Sequence, residues 1–294
     1  MRPPYPVEIP PLLPLFLNKR RAKMTFPLQK TEELGLDRPA FIWTINLSYR
    51  GDRGARAEPG DLTSVYGTIP GRWLPMAAAS RGAGLAEERN GRWYLTERGR
   101  GLAAAMHEAA RAHYAGLAPL PKDDLAELAR LLDRAFFAAA KATEPAERLH
   151  TPFAFGYRGD EPPAGSFAQL DAAVYGLWQV RDDSHIAAWR GSGLSGPEVE
   201  VLTRIWREEA ADEAALADLL PHQRPEDQSA SLARLRKDGL VEVDALKATT
   251  RGANVRQKIE EETDRLFFAP WPDDVGARGA WIAEKLIEVN SALA

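Results

Sequence analysis

Cysteine is absent from all 294 residues, which excludes disulfide frameworks, thiolate nucleophiles and cysteine-based zinc sites. Histidine is scarce at five, and no HExxH pair or glycine-rich phosphate loop occurs, so metalloprotease and nucleotide-cradling chemistry lack their usual parts. Long apolar runs are missing too. The nearest candidate, Val7 to Leu17, is broken by Pro10, Pro11 and Pro14; it is too short and too interrupted to cross a bilayer or to form a signal-peptide helix. These absences read as a cytoplasmic protein that is not an enzyme and uses no cofactor, metal or membrane.

What is present is ordinary for a globular chain of about two domains, with 45% hydrophobic and 27% charged residues. Charge is unevenly placed. Residues 1–30 carry Arg2, Lys19, Arg20, Arg21, Lys23 and Lys30 against Glu8, a net of +5, so the remainder sums to −9 from a total of −4. A strongly basic DNA-binding body is excluded, whereas a local basic patch is not. The proline-rich opening reads as a flexible basic arm, residues 1–35, with little folding content before Met24, which could serve as the natural start.

The stretch Asn90-Gly-Arg-Trp-Tyr-Leu-Thr-Glu-Arg-Gly-Arg-Gly101 combines a tight-hairpin dipeptide with a threonine N-cap leading into an alanine-rich helix. A second copy occurs at Thr249-Thr250-Arg251-Gly252, 153 positions after Thr96. Gly84-Leu85 matches Gly239-Leu240 at a shift of 155, and Leu117-Ala118-Pro119-Leu120 resembles Phe268-Ala269-Pro270-Trp271 at 151. Three matches in one order at nearly one offset read as two copies of one unit.

Periodicity predicts the unit. In the second copy Glu198–Glu209, Asp212–Leu220 and Pro225–Lys237 are helices, and Asp238-Gly239 ends the third as a C′ glycine would. Residues 240–243 and 245–248 then form a short β pair, followed by a long helix. On the third helix Ala230, Leu232 and Leu235 are expected to face inward, and Gln228, Ser229, Ser231, Arg234 and Arg236 outward. The first copy follows as Pro39–Tyr49, Asp61–Tyr66, Arg72–Arg81 and the hairpin at Asn90-Gly91. Between the copies lie a helix over Lys122–Lys141, a Pro/Gly-rich connection from Glu144 to Gly165, and a helix over Phe167–Trp189; a last helix covers Gly279–Ala294. Three helices, a hairpin and a long helix are the winged helix-turn-helix order.

Gly239-Leu240, the strand pair, Thr249-x-Arg251-Gly252 and the helix from Val255 resemble the MarR superfamily of winged-helix regulators. Asp182 to Glu198 and Ala269-Pro270-Trp271 are similar to an actinobacterial-type branch of it. The resemblance implies a mainly α fold with short β-hairpin wings, and two copies in one chain imply a tandem winged helix-turn-helix forming an intramolecular pseudo-dimer. Double-stranded DNA as partner, pairing of chains as a homodimer and a small apolar effector are likewise implied. The expected division is a first unit at 36–120, a helical connector at 121–184, a second unit at 185–272 and a C-terminal helix at 273–294.

The candidate DNA-binding residues are Ser231, Arg234, Arg236 and Lys237 on the third helix of the second copy, and Arg89 and Arg92 flanking the first wing turn. The Lys19 to Lys23 run adds phosphate attraction. Against this, Glu226 and Asp227 open the same helix, and a solvated helix face would carry the same side chains. The first copy's third helix is apolar, with Trp73 and Met76 expected in the core, so two equivalent reading heads are not expected. A scaffold that binds a protein or a small molecule is the alternative. Asp182, Asp183 and His185 read as a buried hydrogen-bonded cluster, because no nucleophile accompanies them.

Overall fold

In the computed structural model the described residues are 5–51, 54–56, 65–66 and 70–293, with only the backbone described at 56 and 70–72. In chain order the elements are α1 (Leu12–Lys19), α2 (Phe26–Leu34), α3 (Arg38–Ser48), β1 (Ala55–Arg56), α4 (Pro70–Gly82), β2 (Ala86–Arg89), β3 (Arg92–Leu95) and α5 (Glu97–Ala115). There follow α6 (Lys122–Lys141), α7 (Thr151–Arg158), α8 (Phe167–Arg190), α9 (Gly196–Trp206), α10 (Glu213–Leu219), α11 (Pro225–Lys237), α12 (Thr250–Phe268), α13 (Asp273–Gly276) and α14 (Gly279–Ala292). The fold is mainly helical with one small antiparallel sheet ordered β1-β3-β2. Among the described residues no helix is long and apolar enough to cross a membrane.

Residues 5–35 are not a flexible arm. Ile9, Leu13 and Phe16 are completely buried, and α1 packs between α8 and α14. Three such side chains stabilise the placement by roughly 1.5–3 kcal/mol each. The prolines are compatible with this because Pro10 and Pro11 precede the first helical turn and Pro14 lies within it, where no backbone N–H is required. Met24 also lies in the core, so the residues before it do have folding content.

The recurrent Thr-x-Arg-Gly stretch has one geometry at both places. Thr96 caps α5 by accepting from Gly99 N (3.1 Å) and donates to Gly84 O (2.7 Å). Thr249 caps α12 by accepting from Gly252 N (3.0 Å) and donates to Gly239 O (2.7 Å). Gly84 and Gly239 both adopt positive φ, +69° and +68°, to end α4 and α11. A Cβ on Gly99 or Gly252 would collide with the carbonyl oxygen of Leu85 or Leu240, so glycine is required where the entering strand crosses the helix. The glycine of the motif is thus a packing residue.

The two segments that precede the capping threonines differ. At the first, Asn90 (φ 53°) and Gly91 (φ 71°) make the tight turn, Glu88 pairs with Trp93, and β1 adds a third strand through Ala55 opposite Trp93. The expected strand pair at 240–248 is reduced to a single bridge, Val241 opposite Ala248, with Glu242 N donating to Lys247 O (2.9 Å). Its segment is two residues shorter between the leucine and the capping threonine, and it lacks both an Asn-Gly turn and aromatic cross-strand partners. The expected helix over Asp61–Tyr66 lies outside the described residues at 61–64; residues 65 and 66 form a turn.

Most of the core is helical and shared. Leu128, Leu132 and Phe136 of α6 meet Leu170, Ala173 and Leu177 of α8, all fully buried. Gly176 lets the helices approach, since a Cβ there would sit 2.5 Å from the Phe136 ring. The expected loop from Glu144 to Gly165 contains α7. Its start is fixed by the Asp183 carboxylate, which accepts from Leu149 N and His150 N (2.8 Å each), Thr151 N (2.8 Å) and the Thr151 hydroxyl (2.7 Å). The cap comes from a distant helix, so no local signal announces it.

Candidate nucleic-acid interface

α11 begins at Pro225, and Glu226 and Asp227 occupy its first turn, where carboxylates complement the helix dipole. Arg224 just before it holds Asp227 (Nε to Oδ2, 2.7 Å). Leu232 and Leu235 bury the helix against α9. The side chains left in solvent are Glu226, Ser229, Ala230, Ala233, Arg234 and Lys237, spaced three or four apart along one face. This stripe is small in its middle and cationic at its C-terminal end. Small side chains let a helix approach the floor of a major groove, and cations there meet phosphates or base acceptors.

The turn before α11 is bolted to α9 by a buried acid. Glu200, 3% exposed, accepts from Gln223 Nε2 (2.7 Å) and contacts His222 Nε2 at 3.0 and 3.1 Å. Burial alone would push this carboxyl upward, but the His222 and Gln223 donors outweigh it and hold it below the usual range. Gln228 donates to Leu220 O (2.8 Å) and is itself buried. His222, which stands in a loop of the sequence with no neighbour of note, is therefore part of the helix-turn-helix scaffold.

The candidate residues divide accordingly. Ser231 is 7% exposed and faces the interior with Gln228, because the buried side of α11 takes in Gln228, Ser231, Leu232 and Leu235. Ala230 is exposed, contrary to its expected place. Arg236 bridges α10 and the short wing through Glu213 (2.9 Å) and Glu242 O (3.3 Å), so its cation is largely spent on structure. Arg234 lies 2.8 Å from the buried carboxylate of Glu198. Lys237 is exposed at the helix end.

Arg89 and Arg92 sit on β2 and β3, the strands that pack with α3, α4 and α5. Arg89 lies over the Tyr94 ring at 4.4 Å and 3.3 Å from Glu87, held on the outer face of the hairpin instead of reaching past its tip. Arg92 is half-buried. The matching face of α4 exposes Leu74, Pro75, Ala78 and Ala79, with Arg81 set over Trp93 at 5.6 Å. Trp73 is in the core and Met76 packs against it.

In the basic run near the start Lys23 is exposed, and the other three cations have partners within the protein. Lys19 donates to Asn290 O (2.9 Å), Arg21 donates to the hydroxyls of Tyr114 (2.6 Å) and Tyr157 (2.8 Å), and Arg20 pairs with Asp171. These cations are committed to the interior.

Asp182, Asp183 and His185 go to separate surroundings. Asp183 caps α7, His185 contacts the Thr263 hydroxyl (3.1 Å), and burial raises the Asp182 carboxyl well above its ordinary value. Burial also pushes His185 down to about 3, so it is neutral at physiological pH. Its ring meets the edge of Tyr66, while Trp189 Nε1 donates to Val65 O (2.8 Å), joining the turn at 65–66 to α8. Among the described residues no group of three or more potential ligands could hold a metal ion. Glu198, Glu200 and the fully buried Arg256 are the polar residues that sequence reasoning passes over. Only Glu198 carries a signal, as the fourth residue of the capping box Ser195-Gly-Pro-Glu.

Comparison with curated proteins and with solved structures returns no match. A sequence profile described as the Helix-turn-helix family matches residues 66–294, which include α4, the first wing and the whole of α9 to α14. By that match, which takes in well over half of its length, the chain belongs to the Helix-turn-helix family.

Proposed function

We propose that the chain is a DNA-binding transcriptional regulator of the MarR type, in which two winged-helix units form an intramolecular pseudo-dimer and the second supplies the reading helix. The observation that carries this reading is α11, whose exposed stripe of Ser229, Ala230, Ala233, Arg234 and Lys237 stands on a rigidly held helix-turn-helix. Support for two units comes from α4 and α11, each of 13 residues, α5 and α12, each of 19, and the matched threonine caps. A small apolar effector would act in the aromatic layer between them, where Tyr157 and Tyr175 stack at 3.9 Å and stay half-buried.

Fluorescence anisotropy with genomic duplexes at several salt concentrations tests the reading. Salt-dependent binding that weakens in Lys237→Ala is the expected result; binding that is undiminished in both Lys237→Ala and Arg234→Ala removes α11 from the mechanism. One observation favours a second reading, a protein-binding scaffold: the exposed face of α4 is apolar where α11 is polar. No binding of any duplex by the full chain would leave the scaffold as the better account.

A further inference from the structure

Arg234 and Glu198 differ sharply in exposure, although they touch. The arginine side chain is 67% exposed and the glutamate side chain 4%, with Nε 2.8 Å from Oε1. The other carboxylate oxygen, Oε2, accepts from Ser195 N (2.7 Å) at the start of α9 and cannot swing away. No other acid or carbonyl among the described residues takes the guanidinium. The guanidinium is therefore paired with a fixed acid while its side chain stays two-thirds exposed beside the small residues Ala230 and Ala233.

Resting on the DNA-reading proposal above, we infer that Glu198 is a positioning residue that aims the Arg234 fork at a guanine, making one G·C pair a specificity determinant of the second unit. Guanine offers two acceptors, O6 and N7, on its major-groove edge, and a guanidinium fork matches them; adenine replaces one acceptor with a donor and is rejected. A fork already held in place loses less conformational freedom on binding than a free one. Arg236 cannot act this way, because Glu213 takes its Nη1 and the side chain is only 27% exposed. The position matching Arg234 in the first unit, 155 residues earlier, is Ala79. Only one of the two heads carries the device.

Charge separates this role from general phosphate binding. The Arg234–Glu198 pair is neutral overall, so it adds little to counterion release, whereas Lys237 is a net cation at the same face.

The test uses the full chain, selection from a pool of random-sequence duplexes, and anisotropy titrations of the selected site across salt concentrations. Variants are Arg234→Lys, Glu198→Gln and Lys237→Ala. Glutamine retains an oxygen for Ser195 N and so preserves the cap while losing the anionic anchor; thermal melting confirms its fold. Changing the critical G·C to A·T should weaken the unaltered protein about tenfold. Arg234→Lys should lose that discrimination with the salt slope unchanged, Glu198→Gln should lose it with a slope steeper by up to about one because the arginine is no longer neutralised, and Lys237→Ala should keep it with a slope shallower by about one. Discrimination retained in Arg234→Lys, or an equal loss of affinity for every sequence in it, overturns the assignment of the fork. Discrimination retained in a folded Glu198→Gln overturns the positioning role; if that variant melts early, Glu198→Asp, which keeps the charge and shortens the reach, must lose discrimination instead. Failure of the unaltered protein to enrich or bind any duplex would sink the DNA reading itself, a result distinct from binding without a guanine preference.

Discussion

Arg20 Nε lies 2.5 Å from Asp171 Oδ1, with both side chains at or below 10% exposure, so a cation just after α1 neutralises an acid in the second turn of α8. The Tyr157 hydroxyl donates to the other oxygen of the same carboxylate and accepts from Arg21. Removing one member of a buried pair leaves the other uncompensated, at a cost of about 3–5 kcal/mol. Arg20→Ala should lower the urea midpoint accordingly. A variant as stable as the parent would show that water reaches and solvates Asp171.

The capping threonines and their glycines make a paired prediction. Thr249→Ala should cost about 1 kcal/mol through loss of the cap, and Gly252→Ala about 1–3 kcal/mol through collision with Leu240 O. Thr96→Ala and Gly99→Ala should cost similar amounts, because the contacts are matched. Calorimetric melts of the four variants check this; a harmless glycine substitution at either site would mean that strand and helix can separate without penalty.

Acid should destabilise the protein through His185. Its folded pKa is held by burial near 3, below the ordinary 6.5, so the unfolded chain binds an extra proton between those values. Stability therefore falls as pH drops through that window, by about 1.4 kcal/mol per unit per proton. Glu260 adds to the loss lower down. Burial would raise it, but Arg256 and Arg181 win and hold it near 2, so its contribution, complete above about 4.5, disappears as pH falls toward 2. His107 and His150 are also lowered, chiefly by burial. His185→Gln should thus reduce the slope of stability between pH 6 and 5 by about one proton without abolishing it. Urea titrations at pH 7, 6 and 5 measure it, and an unaltered slope would clear His185.

On α11, Ser231→Ala should leave DNA affinity within twofold, because the residue faces inward. Arg236→Ala should loosen the short wing and raise hydrogen exchange at Glu242 N and Thr249 N with little change in base preference. A variant at Ser231 that selectively lost DNA binding would show that the inward face opens on the duplex.

The elements that local chemistry determines were legible in the sequence. Asn90-Gly91 demanded a tight turn, Thr96 and Thr249 a cap, and the leucine spacing of Lys122–Lys141 a helix, and all three stand where periodicity and turn chemistry put them. What failed depends on partners far away in sequence. α7 exists because Asp183 caps it from 32 to 34 residues away, and the opening segment is ordered because α8 and α14 enclose it.

The interface was half legible for a related reason. Basic residues on α11 are visible, but whether each is available depends on which acid it meets, and Glu198, Glu213 and the Glu242 carbonyl are invisible to a reading of one helix. Gln228 and Ser231 were misplaced because polar side chains that satisfy nearby backbone can turn inward, as Gln228 does on Leu220 O.

The bond from Lys19 to Asn290 O and that from Asn290 to Leu12 O tie together groups 271 and 278 residues apart. Contacts at such separation form slowly, since a very long loop must close first. During synthesis α1 and α8 emerge well before α14, so the face of α1 that α14 covers stays open until that helix is delivered.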